Sequence, residues 1–101
     1  MAGNARSAWW VYMVRCSNNA LYTGITNNLA RRVKAHNAGK GALYTKFHRP
    51  VRLVYHEPSP GKSQALKREY QLKQYSRAKK TALVKQANKA RRLARSSKTA
   101  P

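Results

Sequence analysis

The chain of 101 residues is short of acidic side chains, because two glutamates, Glu57 and Glu69, stand against 22 lysines and arginines. Sites that hold two metal ions normally draw on several acids, so the sequence excludes that class of site and leaves room for one metal ion. The single cysteine, Cys16, excludes an intramolecular disulfide and agrees with a reducing compartment. No apolar run approaches the length of a membrane span, and residues 1–7 are too few and too polar for a signal peptide. These shortages predict a cytoplasmic or nucleoid-associated protein.

What the chain has in excess is positive charge, with a formal net charge of +20. Such a surplus repels itself in the folded state, so it indicates a polyanionic partner. Nucleic acid is the expected partner. Adhesion to RNA in the manner of a ribosomal protein, or a role in solubility, are the alternative interpretations.

Two runs rich in aromatic and β-branched residues predict a β-hairpin over residues 9–26, with an asparagine-rich turn that tolerates positive φ. On the second strand Tyr22 and Gly24 share a face. Tyr12 joins that face, opposite Gly24, if the turn has an odd number of residues, whereas a two-residue turn would place it opposite Ile25. Two phenols on one face could act as a general base or position a water molecule. Core tyrosines with hydrogen-bonded hydroxyls are the alternative.

The remaining patterns predict an α/β fold. The expected elements are strands over residues 9–15 and 20–26, a helix over 29–38, a strand over 51–56, a helix over 64–74 and a last helix capped by Ser76. Gly39 is the expected C-cap of the first helix and Ser63 the N-cap of the second. This order predicts a small three-stranded, mainly antiparallel sheet flanked by helices.

The domain organisation follows from composition. We expect a disordered leader over residues 1–7, one domain over 8–87 and a flexible basic tail over 88–101. The basic connection over residues 39–50 is long for a compact domain, and such loops are often functional.

The two acids have different surroundings. Glu57 ends a predicted strand and is expected to be a solvated loop carboxylate. Ala65 and Leu66 lie four and three residues before Glu69, and Leu72 lies three after it, so that carboxylate shares the apolar stripe of its helix. A carboxylate that faces a core needs a cation or hydrogen-bond donors. A helical pair with Lys73, worth about 0.2–0.5 kcal/mol on an exposed face, is the alternative. The stripe favours a divalent metal, completed by waters and a substrate phosphate.

One face of the first predicted helix combines apolar and functional side chains: Leu29, Arg32, Val33 and His36. A guanidinium held by packing is suited to bind a phosphate and to neutralise charge that develops during its cleavage, and Arg32 has that position. His36, one turn further along, is either part of the same site or a core-edge histidine. Arg31 and Lys34 point elsewhere and are expected to be solvated phosphate contacts.

The order and spacing of these motifs resemble the GIY-YIG nuclease superfamily over about residues 9–74. The matching residues of the first two motifs and the following helix are Trp10-Val11-Tyr12, Tyr22-Thr23-Gly24, Ala30-Arg31-Arg32-Val33 and His36-Asn37. A second set resembles the branch that contains small stand-alone bacterial proteins and the catalytic domains of Slx-type endonucleases: Gly39-Lys40-Gly41-Ala42, Thr45, Arg49-Pro50, Tyr55 and Glu69.

The resemblance implies hydrolysis of phosphodiester bonds with one divalent metal ion, Mg²⁺ or Mn²⁺. By the same resemblance the metal-binding glutamate of the family maps to Glu69 and its catalytic arginine to Arg32. The motif tyrosines map to Tyr12 and Tyr22, either of which could activate the attacking water, and the histidine maps to His36.

Two departures from the family pattern are visible in the sequence. Trp10 stands where the first motif has glycine. The chain also has neither the cysteines nor the length for the additional zinc-binding domain of Slx-type enzymes.

The sequence therefore predicts a metal-dependent endonuclease that acts on DNA by structure rather than by base sequence, with RNA as the other candidate substrate. The residues expected to contact nucleic acid are Gly24, Arg31, Lys34, Lys40, Lys46 and Arg49. Two alternatives belong to other classes of protein. One is a DNA- or RNA-binding protein that keeps the fold with little or no activity, and the other is a ribosome-associated factor.

Overall fold

The structure is a computed structural model that describes the backbone of residues 8–99 and the side chains as far as Leu93. The expected leader, residues 1–7, and the last two residues of the expected tail lie outside this range. The elements in chain order are β1 (Trp9–Arg15), β2 (Leu21–Thr26), α1 (Leu29–Asn37), α2 (Leu43–Lys46), β3 (Arg52–Ser59), α3 (Lys62–Gln74) and α4 (Arg77–Thr99). No helix within residues 8–99 has both the length and the apolar composition needed to cross a bilayer.

The central strand of the sheet is β1, because the strand order is β2-β1-β3 and both neighbours run antiparallel to it. This arrangement confirms the predicted α/β fold and makes the sheet antiparallel throughout. Arg15 pairs with Leu21, which leaves residues 16–20, an odd number, in the turn between β1 and β2. Asn19 in that turn has a φ of 71°, the conformation expected of an asparagine in a tight reversal.

The sheet separates two apolar layers, because successive side chains of a strand point to opposite faces. One layer consists of Tyr12, Val14, Cys16 and Val51, packed against Tyr22, Leu29, Val33 and Leu53. The other consists of Val11, Ala65 and Leu72, packed against Trp9, Ile25, Tyr55, Tyr75 and Leu83. Thus α1 covers the face that carries Tyr12, and α3 and α4 cover the opposite face. Cys16 is buried as expected, and its burial raises the pKa of the thiol.

Two element boundaries differ from the sequence-based expectation. β3 continues past residue 56 because Pro58 and Ser59 pair with Trp10 and Trp9, and a proline is tolerated there since β3 is an edge strand. α3 begins at Lys62 with Gly61 as its N-cap, so the cap expected from Ser63 is wrong.

The last helix is longer than expected. Ser76 caps α4 as predicted, since its Oγ accepts a hydrogen bond from the backbone N–H of Lys79 at 3.1 Å. The helix then runs through Thr99, so the expected loss of regular structure from about Asn88 is wrong for the backbone. The strong helix formers alanine, lysine, arginine and leucine dominate this segment. The division into a domain and a flexible tail stays a prediction.

The connection over residues 39–50 contains the one-turn helix α2, which the sequence did not predict. Gly39 ends α1 as expected, with a φ of 79° that a glycine adopts without strain. The N–H of Gly39 bonds to the carbonyl of His36 at 3.1 Å, and the N–H of Lys40 bonds to that of Ala35 at 2.9 Å. This pair of bonds is a Schellman motif, which turns the chain so that α2 packs beside α1.

Candidate active site

Tyr12 is fixed in the middle of the central strand. It pairs with Gly24, and Val14 pairs with Tyr22, so both tyrosines lie on the same face of the sheet. A Cβ on residue 24 would lie 2.6 Å from the Tyr12 hydroxyl oxygen and 2.7 Å from Cζ. A glycine is therefore required opposite Tyr12. The structure fills that space with the phenol rather than with a site for a backbone phosphate.

His36 connects this strand to the helices on the same face. Its imidazole is fully buried, with Nε2 2.7 Å from the Tyr12 hydroxyl and Nδ1 2.7 Å from the Oγ1 of Thr45. The Thr45 hydroxyl in turn donates to the backbone carbonyl of Ala42 at 2.9 Å. His36 is therefore a buried histidine that hydrogen-bonds to the first-motif tyrosine, and its part in a catalytic site stays a prediction.

The electrostatic environment keeps both groups neutral at physiological pH. Burial raises the pKa of Tyr12; Arg32 opposes this rise, while Tyr22 and Glu69 add to it. Burial is also the main reason why the pKa of His36 is lowered, and the positive charge of Arg32 lowers it further. A neutral phenol thus faces a neutral imidazole, which is the protonation state needed to pass a proton between them.

Arg32 borders the same hydroxyl from the solvent side. Its Nε donates to the Tyr12 oxygen at 3.3 Å, a long hydrogen bond, and the residue is half-buried. Its α1 neighbour Arg31 is exposed. The first turn of α1 forms a shallow surface depression lined by Thr26, Asn27, Asn28, Arg31, Arg32 and Ala35. Because two arginines line this depression at the N-terminal end of α1, it suits a phosphate.

Glu69 lies on α3, and its negative charge is one of the groups that raise the pKa of Tyr12. Ala65 and Leu72, four residues before it and three after, are fully buried, so Glu69 lies on the inner side of the helix. Its side chain is 18% exposed and pairs with the half-exposed Lys73 at 3.3 Å. The predicted stripe is thus right for Glu69 but wrong for Leu66, which is 47% exposed.

The expectation that a pair with Lys73 needs an exposed face is also wrong. The long lysine side chain reaches a largely covered carboxylate and keeps its own charge in water.

Comparison with known proteins decides the family. The protein-family model of the GIY-YIG catalytic domain matches residues 8–82 of the sequence. The chain is 53% identical over 85 residues to a UPF0213 protein of Desulfotalea psychrophila, covering 83% of this chain and 77% of that protein. It is 51% identical over 77 residues to a UPF0213 protein of Staphylococcus haemolyticus, covering 76% and 94%.

Among solved structures, the solution NMR structure of a UPF0213 protein from Bacillus halodurans is similar, with a TM-score of 0.50 and 42% identity over 77% of this chain and 83% of that one. The chain belongs to the GIY-YIG family. The resemblance stated from the motifs is confirmed, and with it a nuclease-type catalytic domain.

GIY-YIG nucleases generally use divalent metals, and the acidic residues of this chain set what it can hold. Within the described part of the chain, no three His, Cys, Asp or Glu side chains come together as a metal cluster. Glu69 would therefore act as a single carboxylate donor. That donor set fits one Mg²⁺ or Mn²⁺ whose remaining ligands are waters and substrate oxygens, and it does not fit a pair of ions.

The other acid lies apart from this GIY-YIG centre. Glu57 accepts hydrogen bonds from the guanidinium of Arg68, at 2.9 Å to Nε, and from the hydroxyl of Tyr55. Burial together with the bond to Glu57 raises the pKa of Tyr55 to about 12. The expectation of a solvated loop carboxylate is wrong, because β3 extends through Glu57 and turns it towards α3.

A row of rings leads from the buried histidine to the surface. Tyr22 and His36 form a T-shaped pair with 5.6 Å between ring centroids, and Tyr44 lies parallel to Tyr22 at 6.4 Å. Tyr44 also packs on His48 at 4.4 Å, and its hydroxyl accepts a hydrogen bond from the Asn18 side chain at 2.8 Å. The row attaches the 39–50 connection to the hairpin.

The family resemblance included Gly41 and Thr45, but sequence reasoning missed their contacts with His36 and the contribution of Tyr44. Thr45 is fully buried against His36, and a Cβ on residue 41 would lie 2.2 Å from Nδ1 of that histidine. The available signal was the length of the 39–50 connection together with its two glycines and aromatic residues. That signal indicates a functional loop but carries no information about which side chain the loop contacts.

The basic residues expected to contact nucleic acid lie mostly at the surface. Those that are exposed are Arg31, Lys34, Lys40, Lys46 and Arg49. Arg49 also holds the loop together, because its Nε donates to the carbonyl of Lys46 at 3.1 Å and Nη1 donates to that of Asn37 at 3.4 Å. Gly24, by contrast, is buried under Tyr12.

Proposed function

We propose that this protein is a metal-dependent endonuclease that hydrolyses DNA phosphodiester bonds and selects its substrate by structure rather than by base sequence. The observation that carries the proposal is the hydrogen-bonded series from Arg32 through Tyr12 to the buried, neutral His36. A core tyrosine needs one partner for its hydroxyl. This one has a cation on one side and a proton acceptor on the other, which is an arrangement for moving a proton beside an anion.

Arg32 is the phosphate-binding residue in this proposal. Its bond to Tyr12 is long and its side chain is half-buried, so a phosphate in the depression at the start of α1 can compete for the guanidinium. When Arg32 turns to the phosphate, the Tyr12 oxygen becomes free to accept a hydrogen bond from a water. The guanidinium then neutralises the charge that develops on the phosphate oxygens.

The proton of the attacking water follows the existing hydrogen bonds. The water gives a proton to the Tyr12 oxygen while Tyr12 gives its own proton to Nε2 of His36. The water oxygen forms the new bond to phosphorus, one ester P–O bond breaks, and the leaving oxygen takes a proton from solvent. Tyr22 has a packing role in this scheme, because its ring borders the site and packs on that of His36.

Glu69 is the proposed ligand of a single Mg²⁺ or Mn²⁺. When bound, such an ion supplies positive charge at the phosphate oxygens. The pair with Lys73 engages Oε2 of Glu69 at 3.3 Å, so an ion bound to this carboxylate would compete with the lysine ammonium.

DNA is held through its backbone by the exposed basic residues of α1 and the 39–50 connection. Such contacts carry little sequence information, which supports selection by structure. A DNA substrate would place the protein with the nucleoid in the cytoplasm.

The proposal is tested by cleavage of plasmid and branched DNA in the presence of Mg²⁺ or Mn²⁺. Arg32→Ala and Glu69→Gln are each expected to abolish cleavage while DNA binding, measured by fluorescence anisotropy, is retained. Arg52→Ala, an exposed arginine on β3, and Glu57→Gln are the matched controls and should cleave as the parent protein does. Cleavage that survives in either site variant would defeat the assigned roles.

The second candidate function is nucleic-acid binding without cleavage, on DNA or RNA. The observation that favours it is the pairing of Glu69, the one carboxylate near the tyrosines, with Lys73. Tight binding of DNA or RNA with no cleavage across a panel of flaps, junctions, single strands and abasic duplexes would select this candidate. Co-sedimentation with ribosomes would instead indicate a ribosome-associated factor.

A further inference from the structure

The donor and the acceptor of each hydrogen bond around His36 can be assigned by starting from the carbonyl of Ala42. The carbonyl of Ala42 can only accept a hydrogen bond, so the Thr45 hydroxyl donates its single hydrogen to that carbonyl. The Oγ1 of Thr45 is then an acceptor towards His36, and the proton between them belongs to Nδ1 of the histidine. A neutral imidazole carries one proton, so Nε2 is left as an acceptor and faces the Tyr12 hydroxyl.

We propose that Thr45 is a positioning residue that fixes His36 in the tautomer protonated at Nδ1, so that Nε2 is the nitrogen offered to Tyr12. The inferred tautomer rests on the contacts of the Thr45 hydroxyl with the Ala42 carbonyl and with Nδ1 of His36. Its consequence for cleavage rests on the proposed function, because an imidazole protonated at Nε2 would point a hydrogen at the Tyr12 hydroxyl and could not take its proton.

The local structure is built to hold these atoms in place. Ala42 and Thr45 lie three residues apart at α2, so one helical turn sets the distance between the carbonyl and the hydroxyl. The N–H of Lys46 also bonds to the Ala42 carbonyl, at 3.1 Å, which anchors that acceptor. Gly41 lets the backbone approach the imidazole, since a Cβ there would overlap Nδ1. The one-turn helix α2 within the 39–50 connection thus holds the Thr45 hydroxyl in position for its hydrogen bonds.

The same Arg32 contact completes the direction of the series. The Tyr12 oxygen accepts from Nε of Arg32, so its own proton is free to point at His36. Each group from Arg32 onwards donates towards the next one as far as Nε2, and from Nδ1 the donation runs on through Thr45 to Ala42. Tyr12, His36 and Thr45 therefore keep their orientation while Arg32 turns to the phosphate and a proton leaves Tyr12.

The experiment is ¹⁵N NMR of the histidine side chains, which distinguishes the two tautomers by the shifts of Nδ1 and Nε2. Thr45→Val removes the hydroxyl and keeps the shape, while Thr45→Ser keeps the hydroxyl and loses a methyl. Thr23→Val is the matched control, because Thr23 is also a buried threonine and its Oγ1 has no hydrogen-bond partner among the described residues.

The expected result is the Nδ1-protonated form of His36 in the parent protein, in Thr45→Ser and in Thr23→Val. Thr45→Val is expected to lose it and to show the Nε2-protonated form or a mixture of both. The proposal is overturned if His36 of the parent protein is protonated at Nε2, a result that needs no variant to fold. It is equally overturned if folded Thr45→Val keeps the tautomer unchanged.

Cleavage kinetics give the second measurement. Thr45→Val should lower kcat roughly tenfold or more with little change in KM, because a wrong tautomer removes the proton acceptor but not the phosphate contacts. Thr45→Ser should restore most of the rate. If the parent protein cleaves nothing, the proposed function fails while the tautomer stays measurable, so the two failures are distinguishable.

Discussion

Among single side chains, Tyr12 has the most constrained position in the molecule. It is 1% exposed, it hydrogen-bonds to His36 and Arg32, and it occupies the space that a side chain at residue 24 would take. Tyr22 is half-buried, and its ring packs on His36 in a T-shaped arrangement at 5.6 Å between centroids. This difference between the two motif tyrosines separates their proposed roles.

Removing the Tyr12 hydroxyl should therefore affect cleavage far more than removing that of Tyr22. We expect Tyr12→Phe to lower kcat by about 10²–10⁴, the usual contribution of a proton-transfer group, and Tyr22→Phe to have a smaller effect. Single-turnover cleavage of a labelled DNA junction measures both. A larger loss in Tyr22→Phe would reverse the assignment of the two tyrosines.

Gly24 is expected to be intolerant of even one methyl group. In Gly24→Ala the new Cβ would press on the Tyr12 ring, which is held by its hydrogen bonds and cannot move freely. The free energy of unfolding should fall by about 1–3 kcal/mol, the usual cost of overpacking. Gly61→Ala is the control, because its Cβ would meet only the end of the flexible Gln64 side chain, at 3.1 Å. Urea unfolding of both variants measures the difference, and equal decreases would contradict the account.

His36 should make the stability of the fold depend on pH. Its pKa in the folded state is lowered from 6.5, so the unfolded chain binds the proton more readily. The contribution of His36 to the free energy of unfolding is fully present above pH 6.5. The free energy of unfolding is expected to fall as the pH drops below that value, by up to about 1.4 kcal/mol for each unit of pKa shift.

Urea unfolding across this pH range gives the slope. His36→Gln should remove the slope and His56→Gln, an exposed position, should keep it. A slope that survives in His36→Gln belongs to another group.

Among the elements, α4 extends furthest beyond the sequence-based expectation. Its exposed side carries Lys85, Lys89 and Arg92 at helical spacing, around a shallow surface region that they share with Asn88 and Leu93. Its other side lies over β3, where Ala87 and Ala90 line a groove. The helix thus combines a packing face and a basic face.

The basic face of α4 is expected to bind the DNA backbone. Substituting Lys85, Lys89 and Arg92 together with glutamine should weaken DNA binding and flatten the plot of log affinity against log salt, by about 0.9 for each phosphate that is no longer neutralised. Substitution preserves the packing face, which deletion of residues 88–101 would damage. The control replaces Arg52 and Lys67, exposed basic residues outside this face. An unchanged slope would remove α4 from the binding surface.

For the whole molecule, charge is the dominant property, because a net charge of +20 is carried by one small domain with two acids. Both acids are already paired with cations, Glu57 with Arg68 and Glu69 with Lys73. The remaining positive groups repel one another and oppose the compact state. The fold is therefore expected to be most stable when an anion or salt screens this charge.

Raising the NaCl concentration from about 20 mM to about 300 mM should raise the urea midpoint of unfolding, because the screening length falls well below the size of the domain. A short DNA duplex should raise the midpoint further at low salt, and this increase should shrink as salt is added. A midpoint that falls with salt would show that attraction between paired charges, rather than repulsion, dominates.

Several features of the fold and of the site were accessible from the sequence. Hydrophobic periodicity and turn composition predicted the hairpin, the sheet and the covering helices, since these depend on near neighbours. The odd turn was one of the alternatives, and it places Tyr12 opposite Gly24. The motif order identified the family that the comparisons confirm. The shortage of acids by itself excluded a two-metal site.

Tertiary structure decided which residues are joined by the hydrogen bonds around His36 and in which direction those bonds run. Tyr12, His36 and Thr45 come from β1, α1 and α2, and the two links between them span 24 and 9 residues of chain. Periodicity states which face a residue is on but not which residue meets it across a packed layer. That pairing depends on backbone approach, here permitted by the missing side chains of Gly24 and Gly41. The sequence by itself therefore determined the fold, the charge and the residue types, and the packing of three separate elements decided which nitrogen of His36 faces the phenol.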